Sequence, residues 1–222
     1  MKSESQERCF ALADMCQVLG CFVVTPTMSV TDALYSGNLV DDIACILEEL
    51  DVPDAPSIVS ELKLHMAETV VSEDADTFFH RVRKDYTHLY TNPQFSASTL
   101  FQSRFLGYEE GARGLQIALA DTVQNLKAFY LKRGFTSTFV PALRVDHMAV
   151  ELSFLQALHT NEGVALRDGD QAVAQEIAAT IEEFMSEYLG KWGVPFFEEM
   201  AREAEEEIYR LVGRLGVSFM KL

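Results

Sequence analysis

Asp146, His147 and Glu151 are the residues whose types and spacing come nearest to a chemical site in this chain of 222 residues. They stand behind a loop containing Pro141, at the start of a helical pattern. Asp146 is placed to cap that helix, its carboxylate accepting backbone N–H groups at the positive end of the dipole. His147 and Glu151 are four apart and can pair on one face. With a metal ion, two acids and an imidazole are the parts of a helical hydrolase. Without one they are a capped helix with a surface pair.

Other catalytic patterns are absent from the sequence. There is no Gly-x-x-x-x-Gly-Lys phosphate loop, no Gly-x-Gly-x-x-Gly after a strand and no Gly-x-Ser-x-Gly elbow. A di-iron bundle needs Glu-x-x-His on two helices, and only His88 has an acid three residues earlier, Asp85. Asp41-Asp42 meets Cys45 where a magnesium site would need a third acid, and Asp146-His147 reverses the His-Asp order of metal phosphohydrolases. The four cysteines, Cys9, Cys16, Cys21 and Cys45, form no Cys-x-x-Cys pair. They argue against a zinc site and for a reducing cytoplasm, with Cys9 and Cys16 as small core residues. No cofactor and no metal are expected.

The elements that would position these residues are helices throughout. Cys9, Leu12, Cys16, Leu19 and Val23 repeat at helical spacing from about Ser5 to Val24. Further helices are expected from Ser29 to Gly37, Asn38 to Leu50, Ser57 to Val71 with Ser57 as cap, and Ser72 to Tyr90. Gln94 to Gly114 reads as a long connection with one helical turn. Leu115 to Arg133 is an amphipathic helix stopped by Gly134. The helix after Asp146 is expected to end at Asn161-Glu162-Gly163. The next starts at Asp168 or Asp170. Gly193 and Pro195 then break the chain before one long final helix through Phe219. The fold class is all-α, with residues 1–222 as one compact domain of about ten helices. Residues 135–144 are a place where two helical lobes can hinge. Opening there would give a domain-swapped dimer, and a monomer of 24.9 kDa is the expected state.

Charge narrows the partners. Lys plus Arg is 18 and Asp plus Glu is 34, a net of −16. Residues 1–111 hold 7 basic and 18 acidic residues, so the first half carries most of the excess. So acidic a chain does not gather the positive charge that nucleic acid requires. No segment is apolar and long enough to span a bilayer or to act as a signal peptide. The first half would attract a cationic partner more strongly, but on charge alone the favoured reading is a solvated acidic surface kept for solubility. An all-helical adaptor for a non-exported protein is a separate alternative.

Two further motifs carry a resemblance. Asp85-Tyr86-Thr87-His88-Leu89-Tyr90-Thr91-Asn92-Pro93 is similar to an aromatic-x-x-Leu-Phe motif followed closely by Pro. Asp146-His147-Met148-Ala149-Val150-Glu151-Leu152-Ser153-Phe154-Leu155 is similar to Asp-His-x-x-x-Glu-Leu-x-Phe-Leu. With Tyr188-Leu189, Trp192 and the tail containing Phe196 and Tyr209, the chain resembles the TorD/DmsD/NarJ family of redox-enzyme maturation chaperones. The match covers roughly Ser72 to Leu222. Tyr90 stands where the family usually has Phe, and Arg144 stands where an acid is common. The resemblance implies an all-helical cytoplasmic protein without catalysis. It implies binding of the twin-arginine leader or the apo form of a molybdenum-cofactor oxidoreductase, delaying export until the cofactor is loaded. It implies that Tyr86, Leu89, Tyr90, Pro93, Asp146, His147 and Glu151 serve leader binding.

Overall fold

Short acidic side chains set many helix starts, and residues that tolerate a left-handed turn set several ends. The computed structural model describes residues 2–91, 99–107, 111–139 and 142–222, with side chains from residue 5 and, in the third stretch, from residue 120. Among the described residues there are eleven α-helices. In chain order they begin with α1 (Lys2–Phe22), α2 (Met28–Tyr35), α3 (Asn38–Leu50), α4 (Ala55–Ser72) and α5 (Ala75–Tyr90). They continue with α6 (Gln102–Gly107), α7 (Gly111–Lys132), α8 (Met148–Asp168) and α9 (Gln171–Glu187). A 3-10 turn at Leu189–Lys191 precedes α10 (Gly193–Glu203) and α11 (Glu207–Phe219). The described residues form no sheet; one isolated antiparallel bridge joins Phe101 and His147. The chain is all-α, as its periodicity predicts.

Asp74 accepts the Thr77 N–H at 2.8 Å to open α5, and Asp170 accepts the Val173 N–H at 3.1 Å to open α9. Gly134 after α7 and Gly169 after α8 have φ of 67° and 82°, the left-handed turn that glycine adopts without steric cost.

Four boundaries differ from the sequence expectation. Ser57 does not cap α4; the helix begins two residues earlier, and the Ser57 hydroxyl donates to Glu61 at 2.8 Å. Gly111 and Gly114 lie inside α7 rather than in a connection. Helix α8 does not stop at Gly163 but runs to Asp168. A Cβ at Gly163 would come within 2.9 Å of the Phe10 ring, so this glycine serves close packing of α1 rather than a turn. The final helix is two. Pro195 sits in the first turn of α10, where its missing N–H costs nothing, and the real break is at 204–206.

The chain divides into two units. One comprises residues 1–20 and 99–192, hence most of α1 with α6 to α9. Its core is an aromatic cluster in which Phe154 lies 4.7 Å from Tyr130 and 4.9 Å from Phe184, ring to ring, with Phe129 beside them. Of residues 135–144, the described ones, 135–139 and 142–144, belong to this unit. The other comprises residues 21–98 and 193–222, hence α2 to α5 with α10 and α11. There α10 and α11 approach so closely that a Cβ at Gly213 would lie 2.6 Å from the Ala201 backbone nitrogen. Ile43, Leu47, Ile58 and Leu62 of α3 and α4 are buried in this unit, as is Phe22 against Tyr209, edge to face at 6.1 Å.

Candidate functional site

Two short segments of the first unit lock together at the starts of α6 and α8. The Met148 N–H donates to the Leu100 carbonyl at 2.8 Å, and the Gln102 N–H donates to the Asp146 carbonyl at 2.9 Å. This ladder buries Asp146 completely and leaves His147 4% exposed. Asp146 does not cap α8, contrary to the sequence expectation. Its Oδ2 accepts the Ser103 hydroxyl, the Ser103 N–H at 3.3 Å and the Arg144 guanidinium at 2.8 Å. It therefore serves the start of α6. The α8 cap is His147, whose Nδ1 accepts the Ala149 N–H at 3.1 Å.

Arg144 completes the cluster. Its guanidinium also donates to the Ser103 hydroxyl oxygen at 3.0 Å and lies over the Phe101 ring at 4.6 Å. Phe101 in turn meets His147 edge to face at 5.2 Å. The base that departs from the resemblance is thus the counter-charge of Asp146.

Glu151 and His147 do not form the expected pair on one face. Glu151 is wholly buried and accepts the Trp192 indole N–H on Oε2 at 3.1 Å, while its Oε1 has no hydrogen-bond partner. Burial pushes its carboxyl well above the usual range, which favours the neutral acid. Burial also lowers His147 to about 4, so the imidazole is neutral. That fits its cap, because Nδ1 can accept only when unprotonated. A reacting acid or base must reach a substrate, and these three side chains offer almost no surface. Their geometry is that of a brace. Among the described residues no group of three or more His, Cys, Asp or Glu could hold a metal ion.

The other motif lies in the second unit, on α5. Tyr86 and Leu89 are buried, and Tyr90 is half-buried. The Tyr90 ring meets Tyr86 at 5.2 Å and stacks on Phe196 of α10 at 6.2 Å. Pro93 lies outside the described residues. The residue that sequence reasoning missed is Asp85, 1% exposed. Its carboxylate accepts the N–H groups of Glu205 and Glu206 at 3.1 and 2.9 Å, which makes the break between α10 and α11. Arg81, one turn earlier, pairs with both Glu73 and Glu206. Ser103 and Arg144 were missed as partners too; a buried acid that needs a base is the only hint the sequence offers.

The comparison with protein families bears on both motifs at once. Residues 53–198 match the family model described as nitrate reductase delta subunit, well over half of the chain. The chain belongs to the nitrate reductase delta subunit family. Neither a curated protein nor a solved structure matches it. The nitrate reductase delta subunit family is one of redox-enzyme maturation chaperones. In this member the matched stretch takes in the α5 motif, the Arg144-Asp146-Ser103 cluster and Trp192. No helix of the described residues is long and apolar enough to cross a membrane.

Proposed function

We propose that this chain is a chaperone of a molybdenum-cofactor oxidoreductase, binding its twin-arginine leader or its apo form and delaying export until the cofactor is loaded. The observation that carries the reading is the family match over residues 53–198, which spans both motifs. The net charge of −16 supports a client segment with arginines. Nearby acids would speed encounter and fix register, while burial of the client's apolar stretch would supply most of the free energy, at about 25 cal/mol per Å². The protein acts in the cytoplasm, as a monomer, by binding and without catalysis. In this reading Tyr86, Leu89 and Tyr90 support the binding wall from beneath, with Pro93 ending it. Asp146, His147 and Glu151 hold the 144–151 segment in place rather than touching the leader's arginines.

Calorimetric titration with a leader peptide bearing Arg-Arg and an apolar stretch tests this. The expected result is binding with a negative heat-capacity change, and no binding by a peptide of the same composition in scrambled order. Equal heats from both peptides, or none from either the leader or the apo-enzyme, would overturn it. Light scattering at 24.9 kDa checks the monomer.

A further inference from the structure

Glu199 of the second unit is a buried acid that neither motif uses. It sits on α10, one turn after Phe196, with 9% exposure, and its Oε2 has no hydrogen-bond partner. Its Oε1 lies 3.7 Å from the Arg202 guanidinium, but Arg202 is largely exposed and donates to Glu203 at 2.7 Å.

The charged and titratable groups around it come from several elements. Its own helix supplies Arg202 and Glu203. Helix α5 brings Tyr90, with Tyr86 and Asp85 beside it, and α11 brings Tyr209. Glu198 of α10, Asp54 ahead of α4 and Arg214 of α11 line the same open cleft as Arg202. The hydroxyls of Tyr90 and Tyr209 are buried without a hydrogen bond. Asp85 is taken up by the N–H groups of Glu205 and Glu206. Among the described residues, therefore, nothing donates a hydrogen bond to Glu199 Oε2. A buried charge without a donor is costly, and the neutral acid is not. Burial accordingly raises Glu199 to about 7 from the ordinary 4.5, so its charge changes in the neutral range.

The helix that carries Glu199 depends on its packing. Helix α10 has eleven residues, too few to be stable alone. Against α5 it is held by Phe196 stacked on Tyr90 and, just past its end, by the Asp85 carboxylate. We propose that Glu199 is a proton-controlled latch between α10 and α5. Protonated, it stays in the core beside Tyr90 and α10 stays closed. Ionised, it is drawn to water, and the turn that carries Phe196 lifts from Tyr90. The latch rests on the chaperone reading only for its use, since it would set how firmly the wall at Tyr90 is closed.

Native-state hydrogen exchange of the full chain from about pH 5 to pH 8, each rate divided by its intrinsic rate, tests this. The open form, with an ordinary carboxyl, releases the proton that the closed form holds. Opening of residues 193–203 should therefore rise about tenfold per pH unit up to about 7 and level off above it. These residues should also open at least about tenfold more often than Ile43 and Leu47, buried on α3 of the same unit. Glu199→Gln cannot ionise and should give a flat profile. Glu203→Gln, an exposed acid on the same helix, should keep the slope. Should Glu199→Gln fail to fold, Glu199→Met, of similar length and without a proton, should give the flat profile instead. A flat wild-type profile, a slope that survives in the Glu199 variant, or one lost in Glu203→Gln overturns the latch. Equal protection of α10 and α3 does so too, because the whole unit would then unfold together. No client enters this experiment. Its failure leaves the chaperone reading where it stands, and a failure of leader and apo-enzyme binding leaves the latch.

Discussion

Asp85, on α5, accepts the backbone N–H of Glu206 at 2.9 Å across 121 residues of sequence. A side chain of one helix thereby ends α10 and starts α11, with the Glu205 N–H held on its other oxygen. Asp85→Ala leaves two N–H groups without their acceptor and should cost about 2–3 kcal/mol. Asp85→Asn keeps one acceptor and should cost less than half of that. Urea midpoints of the two variants check the order, and equal loss would mean that charge rather than capping is what Asp85 supplies.

Arg144→Ala removes the cation from a carboxylate that has no exposed surface. Stranding a buried charge is more costly than never having had it, so the loss should be about 2–4 kcal/mol. In the double variant Arg144→Ala with Asp146→Asn, much of that loss should be recovered. A thermal-melt double-mutant cycle reads the coupling; independent, additive effects would rule out the pair as a brace.

His147 gives the acid limb of the stability profile. Its folded value of about 4 lies below the ordinary 6.5. The unfolded chain therefore takes up the proton first, and stability is lost as pH falls from about 6.5 towards 4. His147→Asn keeps a capping side chain and removes the titration. Its melting temperature should fall less steeply than wild type over that window, and parallel profiles would refute the assignment.

Glu151 works in the opposite direction. Its folded value is raised by burial, so the contribution is fully present below the ordinary 4.5 and is lost as pH rises above it, where the unfolded chain ionises first. Glu151→Gln removes this slope while an amide oxygen still accepts the Trp192 N–H. The variant should gain on wild type in denaturant midpoints as pH rises above about 4.5. A constant difference across that range would mean that Glu151 is ionised in the fold.

Gly213→Ala should be among the most damaging single-methyl changes, by about 3 kcal/mol or more. The added carbon would meet backbone, 2.6 Å from the Ala201 nitrogen and 2.8 Å from the Phe197 carbonyl oxygen. Gly163→Ala meets only the half-exposed Phe10 ring, which can swing, and it gains about 1 kcal/mol of helix propensity. Its melting temperature should stay close to wild type.

The contrast between these glycines shows what the sequence can and cannot tell. Helix identity was legible, because Cys9 to Val23 and Leu115 to Tyr130 repeat at the spacing that burial demands. Gly134 was legible as a stop because a basic last turn precedes it. Gly163 was not, since a glycine between Asn-Glu and a helical run looks the same whether it turns the chain or admits Phe10. The break at 204–206 left no local trace, because its cause is Asp85 on another helix. At the candidate site the residue types were legible and their partners were not. Asp146 reads as a cap to its own helix until Ser103 and Arg144 are brought beside it, and Glu151 reads as a surface acid until Trp192 covers it.

The order of the segments in the two units has a consequence for synthesis. Residues 21–98 leave the ribosome early, but α10 and α11, which complete their unit, follow only after residues 99–192 have been made. At translation rates of about 5–20 residues per second, α2 to α5 wait on the order of 5–20 s for them. During that interval Asp85 has no helix start to hold, and the faces of α4 and α5 that α11 will cover are bare. The nascent chain of a folding helper is thus itself exposed to aggregation, and slowing translation over residues 99–192 should lower its soluble yield more than slowing it over the first twenty.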